Sequence, residues 1–414
     1  MTDREQRGLV IAATSKLTKK GGAWLVPSQS GNGKYTVCPD AENPHCSCPD
    51  HEKTGKPCKH LYAVQFAMKR EENPDGSVTE TRTITLSETR KTYPQNWPAY
   101  NAAQTSEKAT FQALLHNLCQ GIEEPPAGNG RPRIPLRDAI FAACFKVYST
   151  FSGRRFMTDL REAQTDGHLD RLPCYNSIFN VLESPKTFDV LRDLVAVSAA
   201  PLKSLESNFA CDSSGFSGCR FDRWYDEKYG AEPLKVTRRA WVKCHIMCGT
   251  KTNVVTAVEI HDQHANDGYQ LPDLLETTAQ TFTVKELSGD LAYSTKNNLQ
   301  HIENYGATPL IPFKCNASPA SGGVWGKMYH YFQLHRDEFL SRYHQRSNVE
   351  STFSMIKRKF GDGVRSKMDI AMKNEVLAKL VCHNIVCVIH EMHESGVDPT
   401  FWAENRVAQK VAQY

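Results

Sequence analysis

The sequence predicts an α/β protein: a mixed sheet with flanking helices, preceded by a helical region and a small Cys/His-bearing module. Three observations predict it. From about residue 205, apolar runs of strand length alternate with longer amphipathic stretches. From about 105 to 200, apolar residues recur at helical spacing. Before residue 80 the runs are short and turn-rich, with cysteines and histidines close together.

At 414 residues the chain exceeds one ordinary domain. We divide it into a small Cys/His-bearing module over 1–80, a linker and helical region over 81–204, a strand-and-helix domain over 205–395 and a tail over 396–414. With 40% hydrophobic and 23% charged residues it has the composition of a globular protein rather than a disordered one. It contains no run of eighteen apolar residues, so no membrane association is expected. The opening MTDREQRGLV lacks the apolar core of an export signal, so the expected location is cytoplasmic, where the 14 cysteines stay reduced and are free thiols or metal ligands. A net charge of +4 is only mildly basic, so nucleic-acid contacts have to be read from local patches.

In the first module, Trp24 to Val37 reads as a hairpin around a Ser/Gly/Asn turn, and a helix follows from about Lys59 to Arg70. Between them stands Cys46-x-Cys48-x9-Cys58-x-His60. Three thiolates and an imidazole make a complete tetrahedral zinc set, and so small a region has too few apolar residues to fold robustly without such a staple. Cys38, His45 and His51 lie near enough to substitute for a ligand. Hairpin, ligand spacing and following helix together resemble the SWIM zinc finger.

The segment from Asp75 to Pro98 is polar and reads as a linker or extended arm. Helices follow over Phe111–Ile122, Leu136–Thr150 and Thr187–Ser198. Then Phe209 to Asp212 reads as a short strand ending in a carboxylate. Two more strands, from about Ala240 and Val254, flank a turn at Gly249–Asn253. A helix (Leu271–Thr278), a strand (Thr283–Leu287) leading to Asp290, a helix (Thr295–Tyr305) and a strand (Pro309–Phe313) come next, and the rest is helical from about Met328.

Carboxylates point to the chemistry. Tyr343, Arg346, Glu350 and Lys357 are spaced by three, four and seven residues, which puts them on one face of a single helix. Val349, Phe353, Ile356 and Phe360 form an apolar stripe that can dock on a sheet. Asp212 and Asp290 sit where strands should end, at a sheet edge facing a cleft. Three converging acids repel one another. Hard divalent ions, Mg²⁺ or Mn²⁺, relieve that repulsion, and a pair of them suits in-line displacement at a phosphodiester. Singly, an Asp at a strand end is more often a turn former, and an i, i+4 Arg–Glu pair is usually a surface pair of little worth. The catalytic reading rests on all of them occurring in this order.

Tyr343-x2-Arg346-x3-Glu350-x6-Lys357 resembles the YREK signature of bacterial insertion-sequence transposases of the DDE type, over roughly residues 205 to 390. That resemblance implies a ribonuclease H-like fold with Asp212 on the first strand and Asp290 just after the fourth. It also implies that Asp212, Asp290 and Glu350 are magnesium ligands and catalytic residues, with Tyr343, Arg346 and Lys357 on DNA. About sixty residues separate Asp290 from Glu350, which implies a compact version without a large β-insertion. The implied partners are double-stranded transposon ends and target DNA, bound by a homodimer.

From Ser341 to Lys373, eight Lys or Arg stand against three acids. Lys357, Arg358, Lys359, Arg365 and Lys367 all follow Glu350 closely enough to be candidates for phosphate contact. The pairs Arg154–Arg155 and Arg238–Arg239 are further candidates. Either the zinc module or the 105–200 helices could select the DNA ends. Two alternatives to a transposase remain, a non-catalytic DNA-binding descendant and a nuclease without strand transfer.

Overall fold

The computed structural model describes residues 2–29, 33–40, 43–68, 96–126, 133–218, 241–261, 265–314, 316–319 and 322–402. Arg238–Arg239 and nearly all of the expected 75–98 linker lie outside them. The chain divides into two compact units, 1–94 and 95–414.

In the first unit α1 (Asp3–Thr14) opens with a capping box: Glu5 N donates to Thr2 Oγ1 and Thr2 N donates to Glu5 Oε2. An antiparallel sheet follows in the order β1 (Thr18–Lys20), β2 (Ala23–Pro27), β3 (Lys34–Cys38), β4 (His45–Cys46). The expected hairpin is β2–β3, with Trp24 opposite Val37. After a short α2 (Pro49–Thr54), α3 (Lys59–Met68) packs on α1. Contact is closest at Gly8, where any Cβ would come within 2.6 Å of Tyr62 Cβ. Ile11, Trp24, Val26, Val37, Leu61 and Val64 form the small core around three buried cysteines.

The second unit begins with α4 (Trp97–Gln120), capped by Asn96, so the expected linker ends two residues earlier than its composition suggested. The helix also starts well before Phe111. Its early buried positions are Ala103 and Glu107, which carry no apolar signal. Next come α5 (Leu136–Ser149), α6 (Gly153–Thr165), α7 (Tyr175–Leu182) and α8 (Pro185–Ala199).

The sheet then forms from β5 (Asn208–Ser217), β6 (Trp241–Gly249) and β7 (Val255–His261), with β8 (Glu286–Ser288) and β9 (Thr308–Leu310) added beyond α9 (Leu271–Ala279) and α10 (Lys296–Asn304). The strand order is β7-β6-β5-β8-β9. The β5–β6 and β6–β7 pairs are antiparallel, and β5–β8 and β8–β9 are parallel. This is the mixed ribonuclease H-like sheet: Asp212 is on its first strand, and Asp290 follows its fourth. Between Asp290 and Glu350 the described chain holds β9 and helices, a compact connection. Gly249 ends β6 where a Cβ would strike the Glu206 carboxyl at 2.3 Å. That carboxylate accepts the amides of Lys251 and Thr252 and so fixes the β6–β7 turn.

The remaining helices are α11 (Gly323–Leu334), α12 (Arg336–Tyr343), α13 (Ser347–Phe360) and α14 (Asp369–Glu394). Tyr343 to Lys357 is therefore not one continuous α-helix, because a 3₁₀ turn over 344–346 separates α12 from α13. The physical reason lies in the β6–β7 turn. Thr250 Oγ1 donates to Gln345 and Asn348 Nδ2 donates to Thr250 O at 2.5 Å, seating the start of α13 on that turn.

Helix α14 is long and apolar enough to pass for a membrane span, but 78% of its most apolar window is buried within the protein. It packs against α4, α5 and α8 on one side and the sheet on another. One continuous core runs from Ala103 to Phe401, so packing shows no boundary near residue 204. Even the described part of the tail docks, with Trp402 Nε1 donating to Leu118 O at 3.2 Å.

Asn384 sits fully buried at that junction. Its amide donates to Val195 O and Val255 O, and its oxygen accepts Val255 N at 2.8 Å. Replacing Asn384 with Leu leaves those groups unpaired, and we expect a loss of about 3 kcal/mol. A thermal midpoint equal to that of the wild type would remove this role.

Burial also holds His383 and His245 neutral, each pulled down to about 4. Between pH 6.5 and 4 the unfolded chain binds protons that the folded one refuses, so stability falls as pH is lowered through that window. His383 donates to Asn253 O at 2.9 Å. Thermal melts across the window should show a shallower decline for His383→Gln than for the wild type.

Candidate active site and zinc centre

The strand β5 is central, not an edge, and it continues five residues past Asp212. Both expectations for Asp212 thus need correction, yet the cleft survives for a specific reason. Parallel pairing with β8 stops at Ala210–Ser288, while the β6 ladder runs on to Ser217–Trp241. Between Ala210 and Ser217, which bridges to Gly363, one flank of β5 is open at the carboxyl end of the parallel strands, and Asp212 is the second residue into the gap. Asp290 lies two residues past the end of β8, at the same end of the sheet. It also acts as the turn former that a lone Asp usually is, accepting Ala292 N at 2.8 Å.

Helix α13 supplies the third acid. Val349, Phe353, Ile356 and Phe360 are buried, as the apolar stripe requires. On the opposite flank, Arg346 donates to Asp212 Oδ2 at 3.0 Å and to Glu350 Oε1. One guanidinium therefore joins an acid of the sheet to an acid of the helix. Asp212 is held above the usual carboxylate range by burial, with the Asp290 charge adding to that. Ser213 N, which donates to it at 2.8 Å, and Arg346 pull the other way. Tyr343 stands beside Arg346 and stacks on Phe339 at 5.9 Å, its phenol pushed upward mainly by burial.

Lys357 donates to Ser214 Oγ at 2.6 Å. Ser214 lies one pleat beyond Asp212 on the same face of β5. Burial lowers the Lys357 ammonium, which lies 5.2 Å from the Phe216 ring. Asp212, Glu350, Lys357 and Arg358 line one cavity of about 550 Å³, joined by Ser214 and Asp362, which the sequence reading missed. Ser214 had a legible signal, its two-residue spacing from Asp212; Asp362, in a Gly-Asp-Gly turn, had none.

Asp290 does not line that cavity and reaches it through its field at Asp212. Two cations expected to meet phosphate beside the acids do not line that cavity. Lys359 is bound to both oxygens of Glu107, at 2.5 and 2.7 Å, and Arg365 donates to the carbonyls of Thr150 and Phe151. Arg154 and Arg155 are exposed on α6, with Arg154 over the Tyr175 ring at 5.1 Å.

In the first unit the donor atoms of Cys46, Cys48, Cys58 and His60 all lie within 4.8 Å of one another, and all four residues are buried. His60 Nδ1 stands 3.9 Å from the sulfurs of Cys46 and Cys58, close to the roughly 3.6 Å edge of a tetrahedron around zinc. The pattern of thiols fits a cation. The proton most easily lost leaves Cys58, pulled down to about 3 chiefly by the Cys46 thiol, while Cys46 is pushed upward by the same contact. His51 Nδ1 is committed to Lys56 O at 2.8 Å, His45 is exposed and Cys38 is only half-buried, so none of them displaces a ligand. Among the described residues this is the one such cluster of potential ligands; the three acids are not drawn as close together.

Residues 203–385 match the family model for the transposase DDE domain. The chain carries a transposase DDE domain. Ahead of it, residues 30–67 match the SWIM zinc finger, so the two resemblances read from the sequence coincide with the two families. The DDE domain match covers β5 to most of α14 and includes all three acids. No curated protein matches the chain. A solved structure that does is a cryo-EM piggyBac transposase synaptic complex with hairpin DNA, at 10% identity and a TM-score of 0.33, covering 73% of this chain and 77% of that one. At that score the two folds agree only loosely.

Zinc bound by the SWIM finger should amount to about one ion per chain. In Cys58→Ser we expect most of it to be lost, with a protease-sensitive N-terminal module, because metal binding and folding are coupled in so small a body. Full zinc occupancy in that variant would remove Cys58 from the ligand set.

Proposed function

We propose that this transposase cleaves the DNA strand at the ends of an insertion sequence and joins the freed 3′-hydroxyl to target DNA, using Asp212, Asp290 and Glu350. The observation that carries the reading is the Arg346 bridge, which ties a sheet acid to a helix acid beside the open end of the parallel strands. A site that already accommodates a cation between two carboxylates, with only oxygen donors, fits a hard divalent ion. Asp212, Asp290 and Glu350 would hold magnesium or manganese there, which would supply charge stabilisation at the attacked phosphate.

The chain's own residues do the positioning. Lys357 and Arg358 line the cavity with the acids and hold strand phosphates, and Arg346 and Tyr343 order the same side. Burial and the Asp290 charge raise Asp212 against the pull of Arg346, so a further cation beside it would stabilise its ionised form. Phosphate contacts position a strand without reading its sequence, so choice of the ends falls to another part of the chain. The zinc module, folded as its own unit, is our candidate for that task, with double-stranded DNA as the partner and a homodimer needed to hold two ends. With Cys46, Cys48 and Cys58 as zinc thiolates and the other described cysteines unpaired, action on DNA in the reducing cytoplasm suits the protein.

Incubating the protein with duplexes bearing the element's ends and Mg²⁺ tests the reading. Cleavage and strand joining should stop on chelation and fall at least ~10²–10³-fold in Glu350→Gln and in Asp290→Ala, with the fold intact by circular dichroism. Activity surviving either substitution would exclude that acid, and cleavage without joining would make the protein a nuclease.

A further inference from the structure

A second cationic cavity lies behind the 361–363 turn, whose Asp362 lines the candidate active site. It measures about 370 Å³ and is walled by the end of α5, α7, the segment after α13 and the first turns of α14. Four cations line it, Lys146, Arg365, Lys367 and Lys379, against Glu183 and Glu375, which leaves two positive charges in excess.

These charges are not equivalent. Lys379 is buried and satisfied, donating to Gly361 O at 3.0 Å and Gly363 O at 2.7 Å. Glu375 is likewise engaged, accepting Arg365 N and Ser366 N. Lys146 is different: it is 8% exposed, and among the described residues its ammonium has no hydrogen-bonding or ion-pairing partner. With its stem buried and its ammonium opening onto the cavity without a partner, Lys146 is placed to receive an anion there. Arg365 and Lys367 are exposed at the same cavity, so an anion entering it passes two further cations.

We propose that this cavity binds a phosphate group, held by Lys146 with Lys367 and Arg365 beside it. The net charge of the lining matches a phosphate, and a cation deep in the cavity flanked by surface cations draws an anion inward. Burial and Arg365 pull the Lys146 ammonium down to about 8 against Glu375, and an anion bound beside it would raise it again. The volume exceeds that of phosphate alone, and the partly exposed ring of Phe179 on its wall leaves room for the sugar or base of a nucleotide. The phosphate has two possible sources, free in solution or on the DNA backbone, and the two are separable.

The test is calorimetric titration of the zinc-loaded protein with inorganic phosphate, without added magnesium, comparing the wild type with Lys146→Met. The wild type should bind, and the variant should bind at least about tenfold more weakly. In a second arm, affinity for a duplex oligonucleotide is measured against salt. If the site takes a backbone phosphate, the slope of log K on log salt shrinks by about one in Lys146→Met, and inorganic phosphate competes with DNA. If it takes free phosphate, the slope is unchanged while phosphate affinity falls. A folded Lys146→Met variant with both phosphate affinity and salt slope unchanged overturns the proposal. Should that variant fail to fold, Lys367→Gln, on the exposed rim, carries the same measurements with the same opposing outcomes. Neither readout involves cleavage, so the result is independent of the roles given to the acids.

Discussion

Carboxylates gathered at one end of a sheet repel one another, and the arrangement persists only with positive charge among them. Arg346 provides that charge by touching Asp212 and Glu350 together. Its place is set by backbone rather than by the ion pair itself. The 3₁₀ turn at 344–346 and the anchoring of Gln345 and Asn348 to Thr250 present Arg346 to β5 at the level where β8 has already ended. The exposed Glu350 arm alone would be worth little, and the half-buried Asp212 arm gives the bridge its hold. A geometry set by strand length and a helix break is available before any substrate arrives.

Helix α14 transmits that geometry to the rest of the unit. Asn374, Lys379 and Asn384 are buried along it, and each donates to carbonyls of a different neighbour. Asn374 reaches Leu182 and Ser184, Lys379 reaches Gly361 and Gly363, and Asn384 reaches Val195 and Val255. One helix thereby fixes the helical layer, the turn carrying Asp362, and strand β7. Such contacts are directional where apolar packing is not, so they define register between layers that hydrophobic burial alone would leave free to slide. They also explain why the region before residue 204 and the DDE domain form a single packed body.

Much of this was legible in the sequence, and what was not has identifiable causes. The Cys/His cluster and the apolar stripe of α13 were readable because each depends on spacing within a short stretch. The β2–β3 hairpin and the succession of strands and helices along the large domain were readable from apolar runs. Strand ends were not: β5 runs on through Ser213, Ser214 and Gly215, which look like a turn, because the β6 ladder continues opposite them. The early turns of α4 were hidden because Ala103 and Glu107 occupy its buried face, and α1 because only Gly8 and Ile11 of its residues are buried. The 3₁₀ turn was invisible because its cause, Thr250, lies almost a hundred residues earlier.

The cations after Glu350 show most clearly what position adds to composition. Successive residues on a helix turn by about 100°, so Lys357, Arg358 and Lys359 cannot share a direction. Lys357 points to β5 and lines the acid cavity, Arg358 lines the same cavity from the exposed side, and Lys359 turns away to Glu107 and the Tyr148 ring. Two cations of that run therefore face the site and one holds α13 to α4. Beyond the glycine turn, Arg365 ties its guanidinium to the end of α5 and shares a cavity with Lys146 and Lys367. A basic run that reads as one patch in sequence is thus divided by helical geometry into a group beside the acids, a structural clamp and a separate pocket.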